Sequence, residues 1–363
     1  MILLNCVLGL HTALAIISTL LNTSLMIVMA KFTPESFKSY SLLLKMHASF
    51  DILISICSLS TMLRAVPCGW STVYISYGPC SSISEDVCYY FYSAFLASNV
   101  VTFATVLVSI GVRYWILRFG YISIKRIMTA QMGAFVPACV VLIAFIASKA
   151  NFSDLIPELQ TYHPSYVVEG LVIIGTKPAR TPAKLTLIIS VFGCPVPLFL
   201  VIWIYRYFYS LILRLLERKS KAMSLHTKHM HRQFFTILTI QSALPFLVLL
   251  GISIYVLGVF EMANDPALEV ATFIIVELPA LISPIIVVVH IRSYHEAVLN
   301  LFQLRTSRPP STAMYPNHIL DVPMTPIRPV TPLSPNKFPN NVLDVPMSSR
   351  RRPISPMTLR FLE

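Results

Sequence analysis

VCYYFYSAFLASNVVTFATVLVSIGV, residues Val87–Val112, runs for 26 residues without an Asp, Glu, Lys or Arg. A helix rises 1.5 Å per residue, so this stretch reaches about 39 Å and overspans the ~30 Å hydrocarbon core of a bilayer. Lipid offers backbone amides no partner, so a segment crossing it must bond within itself as a helix. Six more stretches read the same way. They are Ile2–Ala30, also free of charge; Ser41–Leu63, with Asp51 near its middle; Ile127–Ser148; Leu185–Leu213, with Arg206 close to its end; Gln233–Phe260; and Pro266–Ile291, with Glu269 and Glu277. Hydrophobic residues make up 55% of the chain, charged residues 12%, and the mean hydropathy is +0.71. That leaves too little polar material to cover a soluble domain. The expected fold is an all-α membrane protein, a seven-transmembrane helix bundle.

Lys and Arg are retained on the cytoplasmic side, so their distribution predicts orientation. The segments after spans one, three and five and the tail after span seven hold 21 of them; the opposite loops hold 5, namely Arg64, Lys149, Lys177, Arg180 and Lys184. The amino terminus is therefore expected outside and the tail inside. The net charge of +12 reads as topogenic, facing anionic lipid headgroups, and not as a nucleic-acid surface. Ile2–Ala30 is too long for a signal-peptide core and lacks a basic leader, so it reads as a retained anchor. Lys45 is close enough to the inner end of span two to snorkel.

The longest outer loop, Asn151–Lys184, contains VVEGLVIIG at Val167–Gly175, whose β-branched content and glycines predict a short hairpin over the bundle. Asn151-Phe152-Ser153 fits the N-glycosylation acceptor pattern; Asn22-Thr23-Ser24 also fits but lies inside a span. The helix-bundle domain is expected to cover 1–304. The Pro-rich remainder, 305–363, cannot bury enough apolar surface to offset its ordering entropy and is expected to be disordered. Within it Leu320-Asp321-Val322-Pro323-Met324 recurs as Leu343-Asp344-Val345-Pro346-Met347. This is a duplicated filler or a docking motif for a cytoplasmic partner.

No constellation for catalysis is present: no phosphate loop, no dinucleotide turn, no metal-ligand pair on one helix. The chain is not expected to be an enzyme or to carry a cofactor. His226, His229 and His231 read as solvated residues of the loop between spans five and six. Ionisable residues inside the membrane are costly and face the bundle interior, which makes Asp51, Glu277 and Gln241 candidates for an intramembrane polar hub, with Gln241 a partner for Glu277. Pro195, Pro197, Pro245, Pro279 and Pro284 kink the last three spans, since each removes a backbone donor and crowds the preceding turn. Cys6, Cys68, Cys80 and Cys88 lie near the oxidising face, where four cysteines allow three connectivities.

Tyr74-Ile75-Ser76-Tyr77-Gly78-Pro79-Cys80, followed by Cys88 at the mouth of span three, resembles the nematode serpentine chemoreceptors of class delta. Gln241-Ser242-Ala243-Leu244-Pro245 resembles the Q-x-x-L-P signature of the wider superfamily. Ser109-Ile110-Gly111-Val112-Arg113-Tyr114-Trp115 resembles its S-x-x-x-R-Y segment, and Ser283-Pro284 its closing segment, without the usual P-Y-R ending. The resemblance covers residues 1–304. Val112 stands where rhodopsin-like receptors carry an acid beside the arginine. The loop 151–184 has no cysteine for their usual bridge, whereas Asp51 resembles their span-two aspartate. Motif position and the oxidising side together mark Cys80 as bridged, with Cys68 or Cys88 as partner.

The resemblance implies a chemosensory G-protein-coupled receptor in the plasma membrane of sensory neuron cilia. It would bind a small environmental molecule among the outer halves of spans three, five, six and seven. Its partner would be a heterotrimeric G protein, met by Arg113, Tyr114, Arg214, Arg218, Lys219 and Lys221. The alternative is a seven-helix channel or transporter. Transporters often show internal repeats with broken helices in matching positions, and the two halves here do not correspond.

Overall fold

The computed structural model describes residues 2–33, 38–68, 71–119, 122–164, 170–176, 225–260 and 265–302, with 207, 210, 211 and 214 as isolated positions. The expected fifth span, most of the basic segment after it and the tail from 303 lie outside the described residues. Helix α1 (Ile2–Phe32) is 31 residues long. Its hydroxyls bond back onto their own turns, Thr12 to Leu8 O and Thr19 to Ala15 O at 2.9 Å each. Such bonds keep polar side chains satisfied where lipid offers no partner. Helix α2 (Lys38–Thr61) stops where Met62 turns to a left-handed backbone, φ 41°. Thr61 O accepts from Gly78 N and Met62 O from Tyr77 N, so the segment Tyr77–Gly78 supplies donors for the carbonyls at the helix's end. Gly78 passes so close to the Ser60 carbonyl that no Cβ would fit.

Strands β1 (Leu63–Cys68) and β2 (Ser71–Ser76) form an antiparallel hairpin, and β3 (Val172–Thr176) adds antiparallel to the far side of β2. The second half of the hairpin predicted within Val167–Gly175 is this strand, paired with β2, and residues 167–169 of its first half lie outside the described residues. Helix α5 (Phe152–Tyr162) lays Leu155 and Leu159 on Val66, Val73, Ile75 and Ile173 and covers the sheet's outer face. Strands of five and six residues are too short to show in a hydropathy window, so this cap is an addition to the expected helical class and leaves that class unchanged.

Helix α3 (Glu85–Phe119) runs 35 residues through the middle of the bundle, between α2 and α4 (Ile124–Ala147). Glu85 and Asp86 sit in its first turn, where the helix dipole favours negative charge. Helix α4 turns Val136, Val140 and Ile143 outward, as lipid contact requires. The sixth span is broken at Leu244, between α6 (Leu225–Ala243) and α7 (Pro245–Val259). The start of α6 at Leu225 puts His226, His229 and His231 on a helix and not in a loop. Helix α8 (Pro266–His290) is capped by Asp265, whose Oδ1 accepts from Ala267 N at 2.7 Å, and continues through Pro279 and Pro284. Helix α9 (Arg292–Phe302) turns Tyr294 and Ala297 into the bundle and exposes Arg292 and Glu296. Among the described residues, six helical stretches are long and apolar enough to cross a membrane: α1, α2, α3, α4, the α6–α7 pair and α8.

Candidate functional site

At the sheet-capped end, Arg64 of β1 donates through Nε to Glu269 Oε2 in the first turn of α8, with both residues buried (6% and 5% exposed). The guanidinium neutralises a carboxylate that the strand and helix would otherwise bury uncompensated, so the pair fixes the cap to α8. A narrow cleft beside it is lined by Ala65 and Pro67 of β1, Tyr255 and Gly258 of α7, and Glu269 and Thr272 of α8. Beneath the sheet, Tyr92 OH donates to Tyr74 OH at 2.7 Å, and Phe273 packs edge-on to both rings. Cys80 and Cys88 are disulfide-bonded, joining the 3-10 turn Pro79–Ser82 to the start of α3. Cys68 is a free, buried thiol whose pKa is pushed up to about 12, first by burial and then by the Glu158 and Glu269 carboxylates. Lys149 pairs with Asp86 and tethers the end of α4 to the start of α3.

Deeper in the bundle, the expected hub divides into two clusters. Ser58 of α2 donates to Glu277 Oε2 at 2.7 Å, and His11 Nε2 of α1 lies 2.7 Å from Ser58 Oγ and 3.1 Å from the same carboxylate oxygen. Ser58 has given its only hydrogen to Glu277, so Nε2 carries the proton and donates. Asp51 of α2 lies beside Ser283 of α8, and Gln241 Nε2 of α6 donates to Ser283 Oγ at 3.3 Å. His47 Nε2 lies 3.5 Å from Asp51 Oδ2. Gln241 therefore meets Ser283 and not Glu277. Six residues of helix separate those two positions, about 9 Å along the axis, and Gln241 reaches the one at its own depth.

At the end opposite the sheet, Arg113 of α3 is 2% exposed, with its guanidinium carbon 5.1 Å from the centre of the Tyr40 ring. In this conformation the arginine that the resemblance assigns to the G protein is seated inside the bundle. Tyr114 is half-buried in a cluster with Val106, Ile110, Leu117 and Phe235 of α6. Arg214 is exposed. Arg218, Lys219 and Lys221 lie outside the described residues. Asn151 is exposed at the N-cap of α5, and its side chain makes no capping bond.

The sequence reading marks no role for His11, Ser58 or Tyr40, places Ser283 only in the closing motif, and does not pair Arg64 with Glu269. A signal existed for His11, because an intramembrane histidine is as unusual as an acid. No local pattern marks a serine or tyrosine as a cross-helix partner, since that depends on which helix faces it.

Six membrane-length helices, with polar side chains gathered in the seams between them, define a multi-pass helical membrane protein. Its family follows from comparison with known proteins. The chain belongs to the serpentine chemoreceptors of class Srd: the family model described as "Serpentine type 7TM GPCR chemoreceptor Srd" matches residues 7–300. Serpentine receptor class delta-1 of Caenorhabditis elegans is 26% identical over 284 residues, 77% of this chain and 76% of that one. Serpentine receptor class delta-3 of the same organism is 26% identical over 290 residues, 78% of this chain and 83% of that one.

Proposed function

We propose that this protein is a chemosensory G-protein-coupled receptor of the plasma membrane of sensory neuron cilia, with its amino terminus outside and its tail inside. A small environmental molecule binds at the sheet-capped end, and a heterotrimeric G protein engages the Arg113 end. The charge distribution of 21 against 5 Lys and Arg supports this orientation. No catalytic step and no cofactor belong to this reading.

The observation that carries it is α8. One helix meets the cap through Glu269, the α1–α2 seam through Glu277 and the α2–α6 seam through Ser283. It passes Pro279 and Pro284 on the way, and a proline-interrupted helix bends at lower cost than an unbroken one. A ligand that binds one bend of α8 better than the other shifts the population between two packings, by as much as its affinities for the two differ. The ligand contacts are assigned to the cleft at Glu269 and the aromatic residues of α3, α7 and α8. The G-protein contacts are assigned to Arg113, Tyr114, Arg214, Arg218, Lys219 and Lys221.

The test is calcium imaging of cells expressing this chain with a promiscuous G protein, against a panel of odorants and secreted small molecules. A dose-dependent response that disappears without the G protein supports the receptor. A ligand-evoked current that persists without it would make the chain a channel.

A further inference from the structure

Arg113 is one of the largest fully buried side chains in the described structure, and the residue directly before it is Val112 and not an acid. A buried guanidinium needs compensation, and here the face of Tyr40 supplies part of it at 5.1 Å. Tyr40, 7% exposed, stands in the first turn of α2, and what fixes it is the next residue. Ser41 Oγ lies 3.1 Å from Thr33 Oγ1, and Thr33 Oγ1 lies 3.0 Å from Tyr294 OH in α9. Thr33 gives its own hydrogen to Met29 O, so Ser41 and Tyr294 are the donors to it. Burial raises the pKa of Tyr294 and keeps its hydroxyl protonated for that role. Tyr40 and Tyr294 also share one apolar cluster with Ile291, at the α8–α9 junction.

We propose that Tyr40 is a positioning residue that holds Arg113 in its buried seat, and that the Thr33–Ser41–Tyr294 hydroxyl node sets Tyr40 from the α8–α9 junction. A shift of α8 then reaches the Arg113 end through the start of α2. The consequence for signalling, that a seated Arg113 is withheld from a partner, rests on the receptor reading above. The latch itself does not.

Hydrogen exchange of the full-length chain in lipid nanodiscs tests the latch without ligand or G protein. Tyr40→Leu keeps bulk and removes the π face; Tyr40→Phe keeps the face. Exchange of the amides around Arg113 should rise about tenfold in Tyr40→Leu, the loss of a desolvated cation–π contact, and rise less in Tyr40→Phe, which loses only the hydroxyl that also faces Arg113. Tyr294→Phe should give a smaller rise, and adding it to Tyr40→Leu should add nothing, because both act through one seat. Unchanged exchange in Tyr40→Leu, or an equal rise in Tyr40→Phe, overturns the proposal. Basal nucleotide exchange on a G protein, measured beside it, separates the two ideas. Loosened amides with no nucleotide exchange in any variant sustain the latch and remove the G-protein reading.

Discussion

Asn22 Nδ2 donates at 2.8 Å to the carbonyl of Ala280, whose helical donor would be the amide of residue 284, and residue 284 is proline. Helix α1 thus supplies the hydrogen bond that α8 cannot make for itself. In hydrocarbon an unmet carbonyl has no water to turn to, so the pair lets Pro284 kink α8 without leaving a buried acceptor bare.

Replacing Asn22 by Leu should therefore destabilise the protein by about 1–3 kcal/mol, the cost of one orphaned buried polar group. The thermal midpoint of the purified chain reads this directly. Restoring the backbone donor with Pro284→Ala in the same chain should recover part of the loss. A midpoint unmoved by Asn22→Leu would mean that the Ala280 carbonyl finds another donor.

His11, Ser58 and Glu277 come from α1, α2 and α8, and their contacts of 2.7–3.1 Å make them one unit. Single changes His11→Ala and Glu277→Ala should each lower stability, and the double change should fall short of their sum by about 0.5–3 kcal/mol. Additive losses would show that the two side chains act independently.

Alkylation of the unreduced, denatured protein followed by mass spectrometry should label Cys6, Cys57, Cys68 and Cys139 and leave Cys80 and Cys88 unlabelled. In the native protein Cys68 should react slowly at neutral pH, because a thiol with its pKa at about 12 holds almost no thiolate there. The rate should climb as pH rises towards that value. Fully labelled Cys80 and Cys88 would rule out the bridge.

For the proposed orientation, an epitope tag after Glu363 should stay hidden from antibody until cells are permeabilised. Asn151, exposed beside the sheet, offers an independent check. Enzymatic deglycosylation should shift the mobility of the wild type and not of Asn151→Gln. Labelling of the tag on intact cells would reverse the topology.

Arg113→Ala should abolish the ligand-evoked response while leaving surface expression near normal. Neutralising Arg218, Lys219 and Lys221 together should reduce it only in part, since a long-range charge attraction is screened by salt. An Arg113→Ala receptor with a normal dose–response curve at normal abundance leaves the arginine a structural role alone.

Membrane-spanning class was legible from the sequence because it depends on a sum over each segment. A run such as Val87–Val112 must be a helix whatever its neighbours are, since lipid gives its backbone no other partner. Asp51, Glu277 and Gln241 were legible as buried polar residues on the same local ground, the cost of each in hydrocarbon. Their partners were not. That Glu277 meets His11 and Ser58, that Gln241 meets Ser283, and that β3 pairs with β2 across 96 residues of chain from Ser76 to Val172 depend on which surfaces face each other. Tyr40 under Arg113 belongs to the same kind. A helix's own residues determine that it crosses the membrane, whereas its rotation and depth against a neighbour are collective properties of the packed bundle, and only the tertiary structure decided them.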